Sequence, residues 1–182
     1  MRPLGSTDLK RLHRTWRRRT PARVGVLLDS VQTPFNVGAV IRSAAAWRVD
    51  DLWLLGATPD PGDSKVQKTA MGTDRFLTVH QPADAEQALS DVAAAGYRLI
   101  AVELTDEAQP LHQLDLTGHV CLAVGHEDRG VSRSILEGAD AVGFIPQLGR
   151  VGSLNVATAA SVAIYEARRQ VWSDPGRVDG DA

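Results

Sequence analysis

Six short apolar runs divide the chain: RVGVLLD (23–29), DLWLL (51–55), RFLTVH (75–80), YRLIAVEL (97–104), HVCLAVG (119–125) and AVGFIP (141–146). Most are apolar nearly throughout rather than alternating. Such runs suit strands buried on both faces, the usual condition of a parallel sheet. Helical patterns fall between and after them: 36–48, 64–71, 84–96 closed by Gly96, 132–139 and 153–172. The spacing predicts one α/β domain with a mostly parallel sheet and helices on both faces. A chain of 182 residues suits one such domain with a short appendage.

The appendage is visible in the charge. Net charge is −2, yet residues 1–25 hold eight Lys and Arg against the single acid Asp8. The segment STDLKRLHRTWRRR reads as a basic amphipathic helix with Ser6 or Thr7 as its N-cap. Leu9, Leu12 and Trp16 share one side, with Trp16 as an anchor to the body. Lys10, Arg11, Arg14, Arg17, Arg18 and Arg19 supply contacts to a nucleic-acid backbone. Residues 1–22 thus read as a basic extension, 23–172 as the domain and 173–182 as a polar, disordered tail.

Several classes are disfavoured. No apolar run reaches the roughly 20 residues that span a bilayer, and no signal-peptide core opens the chain. A cytoplasmic protein without a membrane partner is expected. The one cysteine, Cys121, lies inside an apolar run and reads as buried, which rules out a disulfide framework within the chain. The five histidines are scattered, so no metal is expected. No dinucleotide fingerprint, P-loop or nucleophile elbow is present.

Open parallel sheets bind ligands beyond the carboxyl ends of their strands. Glycines and polar residues collect there: DSVQTPFNVGAVIR after the first strand, GHEDRGVS after the fifth and PQLGRVGSLN after the sixth. Three of these segments, in order, resemble the SpoU-type, or TrmH-like, RNA 2′-O-ribose methyltransferases of the SPOUT class. They are NVGAVIRSA (36–44), VGHEDRGVS (124–132) and IPQLGRVGSLNVATA (145–159). The lead-in RTWRRRTPARVGVLLD (14–29) also resembles the tRNA guanosine methyltransferases within that family. Gly152 and Ala157-Thr158-Ala159 depart from common family residues without touching a catalytic position.

The resemblance implies a C-terminal deep trefoil knot, a homodimer, S-adenosylmethionine as cofactor and RNA, with tRNA favoured, as substrate. It assigns catalytic positions to Asn36, Arg42, Glu127, Ser153 and Asn155. Val102, Leu104, Gly125, Ile145 and Leu154 are placed around the cofactor. An arginine is very hard to deprotonate. Arg42 is therefore expected to grip a phosphate and stabilise the forming alkoxide, with Glu127 orienting it through a charge-assisted pair. Asn36 and Ser153 also read as N-caps of their helices, and Asn36 additionally as a contact to substrate or a holder of Glu127. The small residues Ala157 to Ser161 imply a close backbone approach, either to a crossing loop of the knot or to a second copy.

The implied activity is methylation of a ribose 2′-hydroxyl, on a guanosine of tRNA. One alternative is ribosomal RNA, including self-protection against an antibiotic. Another is a catalytically silent SPOUT-fold RNA-binding module, which the presence of all five catalytic positions argues against.

Overall fold

The fold is given by a computed structural model that describes residues 2–173. Residues 174–182, most of the expected tail, lie outside the described residues; Ser173 itself is the last residue of a helix. Seven strands form one sheet: β1 (Val24–Asp29), β2 (Asp51–Leu55), β3 (Thr78–His80), β4 (Arg98–Val102), β5 (Gln109–Pro110), β6 (Val120–Gly125) and β7 (Ala141–Phe144). Their order is β3-β2-β1-β6-β4-β7-β5, and every pairing is parallel. The helices are α1 (Ser6–Arg18), α2 (Pro34–Ala46), α3 (Ser64–Ala70), α4 (Ala85–Ala94), α5 (Arg133–Gly138) and α6 (Val156–Ser173).

The apolar runs are explained by burial on both faces. Alternate strand residues enter two separate cores. Val24, Val26, Leu28, Leu122 and Val124 pack with Ile41 of α2 and Ile164 of α6. Leu27, Trp53, Leu99, Cys121 and Ala123 pack with Val92 of α4 and Ile135 of α5. Cys121 is buried and free, as expected, and burial pushes its thiol pKa up.

Four local expectations change. Gly5, not Ser6 or Thr7, is the N-cap of α1. Ser6 is already helical there, and Asp8 sits in the first turn, where the helix dipole favours an acid. Asn36 does not cap α2, because Pro34 starts that helix two residues earlier with its φ already fixed. The first half of the 75–80 run winds into a 3-10 turn, Thr73–Phe76, before β3 begins. Ser153 caps nothing: α6 starts at Val156, and Asn155 Oδ1 accepts the Ala157 and Thr158 amides at 3.0 and 3.3 Å. The two-residue β5 was not anticipated; Pro110 is tolerated because it lies on the outermost strand.

The small residues of α6 have a cause within the chain. Ala157, Ala160, Ala163 and Ala167 are buried in one cluster with Val37, Val40 and Ala44 of α2. Ser161 Oγ donates to Ser43 Oγ of α2 at 2.9 Å. Ala159 faces a cavity instead, and Thr158 is exposed. The close approach within the chain is a helix pair, α2 with α6.

Arg168 pins α6 to the segments that lead into β1 and β2. Its side chain is 1% exposed and donates to the carbonyls of Ala22, Trp47 and Arg48. Burial lowers its pKa to about 10, still charged at neutral pH. At the far end of α6, Trp172 Nε1 donates to Thr20 Oγ1 at 2.8 Å, and that hydroxyl donates to the Trp16 carbonyl at 2.8 Å. Trp16 and Trp172 have ring centroids 5.2 Å apart. Trp16 is therefore the anchor of α1, whose remaining surface is open: none of its residues is buried.

Candidate active site

The carboxyl ends of β4, β6 and β7 frame a cavity of about 520 Å³. The turn 125–130, the loop 152–155 and the first turn of α6 complete it. Its position follows from the topology. All strands point the same way, so the loops that follow them meet at one edge of the sheet.

All five residues expected around a cofactor line this cavity: Val102, Leu104, Gly125, Ile145 and Leu154. Glu127, Ser153 and Asn155 line it too. Asn36 reaches its rim from the first turn of α2. Asn36 Nδ2 donates to Glu127 Oε1 at 2.9 Å, and Asn36 Oδ1 accepts from Asn155 Nδ2 at 3.0 Å. One amide thus joins the three motif segments.

Glu127 has a different partner from the one expected. Its carboxylate accepts the backbone N–H groups of Gln32 (3.2 Å) and Thr33 (3.1 Å) in addition to Asn36. It sits at the positive N-terminus of α2 and does not pair with Arg42. Partial burial works against its charge, but the Asn36, Thr33 and Gln32 donors prevail and hold its pKa down to about 2.

Arg42 lies outside the cavity lining. It stands six residues beyond Asn36 on α2, is exposed, and its guanidinium contacts Met71 Sδ. Within one chain, the expected catalytic cation and the cavity are not brought together. The cations of the N-terminal extension are also remote: Lys10, Arg11, Arg14, Arg17 and Arg18 on α1, and Arg19 just past it, are all exposed, and α1 is fastened to Trp172. Trp172 lies 16 residues beyond Val156 on α6, about 24 Å at 1.5 Å per residue.

Sequence reasoning missed Glu103, which lines the cavity just past β4. Its signal was a lone acid ending an apolar strand at the ligand-binding edge. Gln147, His126, Asp128 and Arg129 also line it without having been singled out. Among the described residues, no cluster of three or more His, Cys, Asp or Glu is placed to hold a metal ion. No helix among them is long and apolar enough to cross a membrane.

A group the size of S-adenosylmethionine fits the cavity's volume and walls. Gly125 is buried with its Cα facing the backbone of Gly130, so a side chain there would collide with that turn. The walls are apolar at Val102, Ile145 and Leu154 and polar at the α2–α6 junction.

Known proteins resemble this chain in sequence and in fold. The pattern of the SpoU rRNA Methylase family matches residues 23–165. An uncharacterized tRNA/rRNA methyltransferase of Synechocystis is 37% identical over 164 residues, covering 88% of this chain and 60% of that protein. The tRNA (guanosine(18)-2′-O)-methyltransferase of Thermus thermophilus is 32% identical over 170 residues, covering 93% of this chain and 86% of that protein. The crystal structure of an AdoMet-bound rRNA methyltransferase from Sinorhizobium meliloti superimposes with a TM-score of 0.76 at 32% identity, over 81% of this chain and 56% of that one. The chain therefore spans less than two thirds of the Synechocystis and Sinorhizobium proteins and most of the Thermus one. The family pattern covers most of the chain, and the chain belongs to the SpoU rRNA methylase family.

Proposed function

We propose that this chain transfers a methyl group from S-adenosylmethionine to a ribose 2′-hydroxyl of RNA, on a guanosine of tRNA. One observation carries the reading: a cofactor-sized cavity at the carboxyl edge of the sheet, with Glu127, Ser153 and Asn155 in its wall and Asn36 bonded to two of them. The similarity to the Thermus tRNA enzyme over nearly the whole chain favours tRNA.

When bound, S-adenosylmethionine supplies a methyl group on a sulfonium centre, already primed for displacement. The chain's own residues then mainly position the reactants. Val102, Leu104, Gly125, Ile145 and Leu154 hold the cofactor. Asn155, fixed by Asn36, and Ser153, an exposed residue of the cavity wall, orient the ribose and its phosphate. Glu127 is a poor proton acceptor near neutral pH, because its pKa is about 2 and its oxygens are engaged by α2. Its part is to hold the start of α2 and Asn36 in register with the cavity.

The reading includes a homodimer. Arg42 lies outside its own chain's cavity, while α2 and α6 leave Phe35, Val162 and Tyr165 exposed. A second copy docked on these helices would complete the site with the missing cation, which grips phosphate and stabilises the forming alkoxide. The trefoil knot belongs to the same reading; β4 lying between β6 and β7, so that the chain crosses it to form β7, is compatible with it. Residues 1–22 serve as a phosphate-binding extension and 23–172 as the methyltransferase body. Because α1 is fastened about 24 Å from the cavity, a bound RNA spans that distance or reaches the α1 of a second copy.

The test is transfer of labelled methyl groups into bulk tRNA and into ribosomal RNA, followed by mapping of the modified nucleotide. Label in a tRNA guanosine is the expected result. Label in ribosomal RNA alone replaces the substrate. RNA binding without label in either favours a silent RNA-binding module and overturns the enzymatic reading.

A further inference from the structure

One wall of the cavity is a turn that closes on itself. His126 and Gly130 exchange two backbone hydrogen bonds, at 3.0 and 2.8 Å. Gly130 has φ of +68°, a left-handed conformation that favours glycine. A side chain at Gly130 would also collide with the carboxylate of Glu103. That carboxylate arrives from a different strand. Glu103 follows β4, and its own N–H donates to the Gly143 carbonyl of β7 at 2.9 Å. Its Oε2 accepts the Val131 N–H at 3.0 Å, and its Oε1 accepts the Leu104 N–H at 3.0 Å. One side chain therefore links the 103–104 wall to the 125–131 wall, and Gly130 leaves the space it occupies.

We infer that Glu103 is a positioning residue for cofactor binding, a lock that holds the 125–131 turn in its binding shape; this rests on the reading that the cavity takes S-adenosylmethionine. The turn carries Gly125 and Glu127, so its freedom spreads in two directions. Gly125 borders the cofactor cavity, and Glu127 holds Asn36 and through it Asn155. A turn fixed before binding does not have to be ordered by the ligand, and cofactor affinity rises accordingly. A glutamate turned to solvent at this position would leave Val131 without its acceptor and gain nothing from a glycine at 130.

The test compares wild type, Glu103→Ala and Glu103→Gln in the full chain. Amide exchange is followed without ligand, and S-adenosylmethionine and RNA affinities are measured separately by calorimetry. Loss of one amide's acceptor corresponds to roughly a tenfold change in the opening equilibrium. Glu103→Ala should speed exchange at Val131 about tenfold and weaken S-adenosylmethionine binding by about the same factor, with a smaller loss of RNA affinity through the Glu127–Asn36–Asn155 link. Glu103→Gln keeps a carbonyl oxygen for Val131 and should restore most of both. Gly130→Ala should weaken cofactor binding more in wild type than in the Glu103→Ala background. The φ strain is common to both backgrounds, whereas the collision with the carboxylate is present in one. Unchanged Val131 exchange in Glu103→Ala, or equal effects of Gly130→Ala in the two backgrounds, overturns the lock. A wild-type protein that binds no S-adenosylmethionine overturns the functional reading and the cofactor role with it. The exchange comparison then still decides the lock itself, faster exchange upholding it and unchanged exchange refuting it.

Discussion

Glu127 and Asp51 are both carboxylates with three hydrogen-bond donors, and they stand at opposite ends of the sheet. Asp51 opens β2 at the amino edge. It accepts from Tyr97 Oη, Arg23 Nη2 (2.6 Å) and His80 Nε2 (2.9 Å). Those donors are themselves packed: Arg23 over the Tyr97 ring at 4.7 Å and His80 stacked on Trp53 at 4.8 Å. Burial opposes the charge of Asp51, but its three donors outweigh it and hold the carboxyl below the usual range. The Tyr97 hydroxyl is pushed up, by burial first and by Asp51 second. Glu127 instead takes two backbone amides and one side-chain amide, and that amide passes on to Asn155 at the cavity. The Asp51 cluster closes on itself, whereas the Glu127 cluster ends at an open site. The first arrangement secures the fold, and the second holds three distant segments in register for a ligand.

The largest effect expected of this contrast is at its open end. Asn155→Ala removes the bond to Asn36 and the cap of α6. Methyl transfer should fall about 100-fold or more, as when a transition-state donor is lost, while stability drops by only about 1 kcal/mol. Single-turnover transfer beside thermal unfolding checks this. Transfer that falls no further than stability would make the Asn36–Asn155 link structural only. Tyr97→Phe should show the converse. It leaves the Asp51 carboxylate short of a donor and should cost about 1–3 kcal/mol, or several degrees of melting temperature, with single-turnover transfer within about twofold of wild type. A large loss of transfer would erase the distinction between the two ends.

A pH titration sharpens it further. The folded pKa of Glu127 is about 2, below its ordinary 4.5. A depressed carboxyl pKa stabilises the fold above the unfolded value, and that contribution is lost as pH falls toward the folded one. Glu127→Gln should therefore flatten the decline of stability between about pH 4.5 and 2, measured by denaturant unfolding across that range. An unchanged acid limb would mean that the α2 amides do not hold the charge. The smallest effect belongs to α1, remote from the cavity. Arg17→Ala and Arg18→Ala should each lower the slope of log affinity against log salt by about one for RNA and leave S-adenosylmethionine binding unchanged. A salt slope equal to wild type would remove these arginines from the RNA interface.

Much of the cavity was legible through the family resemblance, which placed Val102, Gly125 and Ile145 there. Each ends or directly follows a strand, and a parallel sheet sends every such end to one edge. Of the partners of the motif residues, the hold of Asn36 on Glu127 was anticipated, and the link to Asn155 and the backbone amides of Gln32 and Thr33 were not. Asn36 was read as a cap, but Pro34 had already begun the helix, and its side chain crosses 91 residues to Glu127 and 119 to Asn155. Ser153 was read as the cap of the last helix, but Asn155 caps it. Glu103 carried no motif, and its relation to Gly130 exists only where β4 and the loop after β6 lie side by side.

The sequence by itself determined the strand and helix periods, the burial of both sheet faces, the basic helix and the three segments that identify the family. These depend on neighbours within a few residues, where propensity and hydrophobic pattern act directly. Only the tertiary structure decided that Glu127 serves α2 rather than Arg42, that Arg42 stands outside its own chain's cavity, and that the small face of α6 packs on α2. Such pairings depend on which strands become neighbours, and local pattern does not encode the order in which equivalent apolar strands line up.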